Sequence, residues 1–90
     1  MTAPTLQDFA LAFNAPHFRI TVPALPQGAT GVWWMCDTQA DSPLADFAPG
    51  GCEVDTGCQP EADESWYGRI AWGTVDGPLS DPSPVREAHA

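Results

Sequence analysis

Residues 32–37 read Val-Trp-Trp-Met-Cys-Asp, and this stretch decides the fold. Side chains alternate between the two faces of a β-strand, so Trp33 and Trp34 point in opposite directions. Both faces of the segment are hydrophobic. That pattern predicts a central strand, or a strand with one face against a partner.

Similar short segments surround this strand. Ten prolines and eight glycines in 90 residues disfavour a helical bundle and suit short strands joined by turns. Strands are predicted at residues 6–13, 17–22, 65–75 and 79–85. An irregular crossover is predicted at about 38–51, with one short edge strand as an option. A short strand and turn is predicted at 52–58, and a tail at 86–90. The sequence therefore predicts a single domain, residues 1–90, which is all-β and forms a small antiparallel β-sandwich of about seven strands.

Four segments resemble a fibronectin type III (immunoglobulin-like) domain. Residues 66–72, Trp-Tyr-Gly-Arg-Ile-Ala-Trp, and residues 77–82, Gly-Pro-Leu-Ser-Asp-Pro, resemble the last third of that family's pattern. Residues 18–23 resemble its second strand and residues 30–36 its third. The resemblance covers about half of the chain. It implies that Trp66 takes the place of the family's corner tyrosine, with Ile70 and Trp72 facing the core.

The chain also departs from this family. Val22 stands where the family usually has a tryptophan late in its second strand, and Trp34 is expected to fill that volume. Gly68 stands where a branched apolar residue is usual. The resemblance implies a spacer or protein-binding module, of the kind also attached to the capsids, tails and fibres of phage virions.

The charge balance disfavours several partners. The chain has twelve acidic residues against three arginines and no lysine, for a net charge of −9. Such a charge repels phosphate backbones and anionic membrane surfaces, so neither nucleic-acid binding nor membrane insertion is expected. The acidity indicates solubility, docking onto a basic partner, or adaptation to a salty setting in which charge is screened. No secretory signal peptide and no membrane-spanning run is visible. Together with this, the fibronectin type III resemblance implies a virion protein assembled in the host cytoplasm.

The three cysteines allow two interpretations. Cys52 and Cys58 bracket a turn that contains a glycine, so a disulfide between them is one prediction and two free thiols the other. Cys36 lies in a Trp-rich strand and is expected to be a buried, inert thiol rather than a catalytic nucleophile. The spacings lack a zinc knuckle and a regular calcium loop, so no metal and no cofactor is predicted.

The aromatic residues supply the functional hypothesis. If Trp34 faces the core, then Trp33 and Met35 face outward, and so do Tyr67 and Arg69 on the neighbouring strand. Trp, Tyr, Met and Arg are enriched in interface cores. We therefore expect a non-enzymatic virion subunit, a capsid decoration or tail protein, that docks on a neighbouring structural protein through these four residues or through its termini. A lid formed by residues 38–51 and an Arg69–Trp33 contact are the structural alternatives. A carbohydrate- or cell-surface-binding module is the alternative function, and self-association remains open.

Overall fold

The computed structural model describes residues 1–51 and 53–90. Eight strands lie in these described residues, and no helix there is long and apolar enough to cross a membrane. The strands are β1 (Ala10–Asn14), β2 (His17–Thr21), β3 (Gly31–Asp37), β4 (Asp46–Pro49), β5 (Glu53–Asp55), β6 (Ser65–Thr74), β7 (Gly77–Pro78) and β8 (Arg86–His89). The all-β prediction is confirmed.

The strands form two antiparallel sheets. The first sheet has the order β1-β2-β5. The second has the order β4-β3-β6, and both β7 and β8 pair with β6, at its C-terminal and N-terminal ends respectively. The predicted crossover at 38–51 contains the edge strand β4. Two antiparallel sheets around a shared core are compatible with the predicted β-sandwich.

Alternation along the strands decides which residues form the core. Phe18 and Ile20 on β2 have no exposed surface, while Arg19 between them stays half-buried. Trp34 belongs to the core and Trp33 does not, as the two-residue period predicts. Burying each large apolar side chain stabilises the fold by about 1.5–3 kcal/mol. The buried core cluster is Phe9, Leu11, Phe18, Ile20, Val22, Val32, Trp34, Val54, Ile70 and Trp72.

Gly68 is small because the first sheet packs against it. A Cβ atom added at this position would lie 3.2 Å from the Cδ2 atom of Leu11, a core residue of β1. A branched side chain would therefore push β1 away from β6. Packing against Leu11 thus explains why position 68 has a glycine and not a branched apolar residue.

The predicted edge strand at 79–85 is wrong. This segment runs beside β6, but serine side chains replace part of the backbone ladder. The hydroxyl oxygens of Ser80 and Ser83 accept hydrogen bonds from the N–H groups of Trp72 and Ile70, at 3.0 and 3.1 Å. The segment is rich in prolines, which have no N–H, so a regular ladder cannot form.

The predicted tail at 86–90 is also wrong, because Arg86–His89 forms β8 and pairs with residues 65–68 of β6. Arg86 holds the N-terminal segment against this strand. Its Nε donates to the Phe9 carbonyl at 2.8 Å, its Nη2 donates to the Leu6 carbonyl, and its guanidinium lies 5.6 Å from the Phe9 ring centroid. The first strand accordingly begins at Ala10, later than predicted.

Candidate functional site

The four residues predicted to form a binding patch lie on one face of the second sheet. Strands β3 and β6 are direct neighbours, and their register places Trp33 opposite Ala71 and Met35 opposite Arg69. Tyr67 lies one step further along, opposite Asp37. Their neighbours on the same strands fill the core, so these side chains point to the outer side of the sheet.

Phe47 extends this surface, which we call the aromatic face and define by Trp33, Met35, Phe47, Tyr67 and Arg69. Phe47 on β4 lies opposite Trp33 in the register, and their ring centroids are 5.6 Å apart at an interplanar angle of 47°. Both rings are half-buried. Phe47 lies in the crossover, where no period is visible in the sequence, so only the pairing of β4 with β3 reveals it.

Trp33 is fixed by the backbone of β6. Its indole N–H donates to the carbonyl oxygen of Thr74 at 2.8 Å. A Cβ atom at Gly73 would lie 2.8 Å from the Cδ1 atom of Trp33. The Trp33 ring therefore occupies the space that a side chain at position 73 would need. An aromatic ring held in this way loses little conformational entropy when a partner covers it.

Met35 is buried, which corrects the expectation that it is exposed. Only 2% of its surface is accessible, and Ala71 on the neighbouring strand has none. The Arg69 side chain lies opposite Met35, and its Nη2 donates to the carbonyl oxygen of Ser42 in the β3–β4 connection. Arg69 and this connection are therefore the groups placed to cover the methionine. Met35 contributes to the floor of the aromatic face and not to its contact surface.

The β3–β4 connection is itself anchored at its start. The Asp37 carboxylate accepts hydrogen bonds from the Ser42 hydroxyl at 2.7 Å and from the backbone N–H groups of Thr38 and Gln39 at 2.6 and 3.4 Å. These donors, the Ser42 hydroxyl first, hold the pKa of Asp37 below its ordinary value. Residues 38–42 thus form a partial lid at one end of the face, while the Trp33–Phe47 pair stays partly exposed.

The outer face of the first sheet has the opposite character. His17 lies 3.0 Å from Asp55, and Arg19 lies 3.3 Å from Glu53 and 3.6 Å from Asp55. The Gly57 N–H, followed by His17 and Arg19, lowers the pKa of Asp55. These charged groups are partly or largely exposed, so their pairing contributes little to stability and keeps this face solvated.

Cys36 and Cys58 lie close together and are not joined to each other by a disulfide. The Sγ atom of Cys58 is 3.4 Å from the carbonyl oxygen of Cys36. Burial, followed by the neighbouring Cys58 thiol, raises the pKa of Cys36 to about 12. Such a thiol is protonated at neutral pH and is a poor nucleophile. The predicted disulfide between Cys52 and Cys58 involves Cys52, which lies outside the described residues, so that pairing stays a prediction.

The ring of His17 contacts Asp55 at 3.0 Å, and the ring of His89 contacts Ser65 at 2.9 Å and Glu87 at 3.6 Å. Among residues 1–51 and 53–90, no three His, Cys, Asp or Glu side chains are grouped so that they could hold a metal ion.

Comparison with known proteins adds no relative to this description. No protein-family model matches the chain, and neither a curated protein nor a solved structure matches it.

Proposed function

We propose that this chain is a non-enzymatic β-sandwich module that docks on a neighbouring protein through the aromatic face. The observation that carries the proposal is the difference between the two outer faces. One presents paired charges around Arg19, and the other presents the partly exposed rings of Trp33, Phe47 and Tyr67. Aromatic residues with an adjacent arginine are the residue types enriched at the centre of protein interfaces.

The floor of the aromatic face supports this proposal. Met35 and Ala71 are already buried, so a partner would cover the rings without having to order a loose surface beneath them. The indole of Trp33 is fixed by its hydrogen bond to Thr74. Preorganisation of this kind improves affinity because fewer side chains lose freedom on binding.

The charge of the chain favours a basic partner surface. All three arginines contact the chain itself: Arg19 pairs with two carboxylates, and Arg69 and Arg86 donate to backbone carbonyls. Twelve carboxylates remain against these three cations. The resulting negative field would accelerate association with a cationic surface and weaken it at high salt.

The strand order supports the finer proposal of an immunoglobulin-like module. The first, second and fifth strands share one sheet and the third and sixth share the other, as in immunoglobulin domains. The fourth strand pairs with the third here, whereas in the constant-type domain it joins the first sheet. The setting as a virion accessory subunit, bound to a capsid or tail protein, rests on the fibronectin type III resemblance.

The alternative, binding of a cell-surface glycan, has less support. Sugar rings stack on flat aromatic surfaces, whereas Trp33 and Phe47 are inclined to each other by 47° and form no common plane.

The test is incorporation into the particle whose genome encodes the chain. We expect the wild-type chain to co-purify with the particle at a fixed stoichiometry, and Tyr67→Ala to reduce occupancy at a limiting concentration at least tenfold. Phe13→Ala is the matched control, because Phe13 is an aromatic residue of the first sheet with 36% of its surface exposed. Circular dichroism establishes that both variants are folded.

Three outcomes would contradict the proposal. One is incorporation of Tyr67→Ala at wild-type occupancy, and another is an equal loss in Phe13→Ala. The third is retention on a glycan column without binding to the particle, which would support the alternative function.

A further inference from the structure

Two cysteines from opposite sheets meet at one end of the sandwich. Cys36 lies near the end of β3 and faces the core side of the second sheet. Cys58 follows β5 and is held beside β2, because its carbonyl oxygen accepts the N–H of Phe18 at 3.1 Å. The Sγ atom of Cys58 lies 3.4 Å from the carbonyl oxygen of Cys36, so the two sheets are in contact through these residues.

The backbone positions both residues independently of each other. Cys36 pairs with Gly68 in the ladder between β3 and β6, which fixes its side chain toward the first sheet. The N–H of Cys58 donates to the hydroxyl oxygen of Thr56 at 3.2 Å, and that hydroxyl donates to the carbonyl of Phe18 at 2.7 Å. Both side chains are half-buried against the core, within reach of small solutes.

We propose that Cys36 and Cys58 form an inter-sheet disulfide when the folded chain meets a low-molecular-weight disulfide such as oxidised glutathione. The Cys58 thiolate attacks one sulfur of glutathione disulfide, and one glutathione thiolate leaves. Cys36 then loses its proton, and its sulfur attacks the Cys58 sulfur and displaces the second glutathione thiolate. Two cysteine thiols are oxidised, one glutathione disulfide is reduced, and the two protons pass to the departing glutathiones.

The order of these steps follows from the surroundings of Cys36. Its burial and the adjacent Cys58 sulfur raise its pKa to about 12, so it is the poorer attacking group and acts second. Each exchange step requires a thiolate, so the rate of closure should rise with pH between pH 7 and pH 9.

The experiment maps the pairing in the native full-length chain. The chain is incubated with a glutathione redox buffer, free thiols are alkylated, and a protease that cleaves before aspartate is added. This digest separates the three cysteines into residues 8–36, 46–54 and 55–62. We expect peptide 8–36 linked to peptide 55–62, with the mass of the pair two hydrogens below the sum of the free peptides.

Two variants and a denatured control sharpen the test. Cys52→Ser should close at the wild-type rate, and Cys36→Ser should lose the linked pair. The denatured control uses about 6 M guanidinium chloride, which unfolds even hyperstable domains. In the unfolded chain, loop closure favours the shorter Cys52–Cys58 link. A change of the partner of Cys58 on folding would therefore show that the fold dictates the pairing. Peptide 46–54 linked to 55–62 in the native chain, or only glutathionylated and alkylated cysteines, would overturn the proposal.

Discussion

Replacing Ser83 by alanine should destabilise the fold more than is usual for a serine at the edge of a sheet. Ser83 has only 4% of its surface exposed, and its hydroxyl accepts the N–H of Ile70 at 3.1 Å while donating to the carbonyl of Pro84 at 2.8 Å. Alanine leaves the Ile70 N–H without a partner at a buried site. An unsatisfied buried donor costs about 1–3 kcal/mol, so we expect a loss of about 2 kcal/mol in the free energy of unfolding.

The assay is equilibrium unfolding in urea, followed by tryptophan fluorescence. We expect the midpoint of Ser83→Ala to fall while the slope of the transition stays unchanged, because the surface exposed on unfolding is the same. Hydrogen exchange gives a second measurement. A loss of about 2 kcal/mol should accelerate exchange of the Ile70 amide about 30-fold if that amide exchanges by global unfolding.

Ser80→Ala is the matched control. Its hydroxyl makes the equivalent bond to the Trp72 N–H at 3.0 Å, but Ser80 is only partly buried, so water can replace the lost hydroxyl. We expect a loss of about 0.5–1 kcal/mol for this variant. The reasoning is refuted if Ser83→Ala loses less than about 0.5 kcal/mol, or if the two variants are destabilised equally.

Three further predictions follow from other parts of the fold. The Cys36–Cys58 disulfide closes a loop of about 23 residues and should raise the free energy of unfolding by about 3 kcal/mol. The measurement is the urea midpoint of the Cys52→Ser variant with and without reductant, and an unchanged midpoint contradicts the prediction. Since folding lowers the pKa of Asp37 below its ordinary value of 3.8, its contribution should be complete above that pH and vanish as pH falls through the folded pKa. The stability difference between wild type and Asp37→Asn should therefore shrink below pH 4, and a constant difference would argue against the carboxylate network. Arg86→Lys should lose about 1–2 kcal/mol, because an ammonium cannot reproduce both guanidinium bonds. Proteolysis before Asp8 should accelerate in that variant, and unchanged cleavage would show that the N-terminal segment is held by other contacts.

Part of the candidate site could be predicted from the sequence. Alternation places Trp33 and Tyr67 on one outer face, since the direction of a side chain in a strand depends only on its position. The exposure of Met35 could not be predicted in this way. Whether an outward residue meets water depends on which groups from other parts of the chain lie over it, and Arg69, which is opposite Met35 in the register and bonds to Ser42, lies 34 positions further along the chain.

The sequence by itself determined the central strands and the core. Residues 17–22 alternate clearly, because one face of the strand must be apolar to be buried, and residues 32–37 are apolar on both faces, as a central strand requires. Only the tertiary structure decided how the last twelve residues are used. The predicted edge strand at 79–85 became an irregular segment held by serine hydroxyls, and the predicted tail became β8. The last residues pair with the backbone groups of β6 that no other strand has paired. Which groups these are is decided only when the sheets assemble.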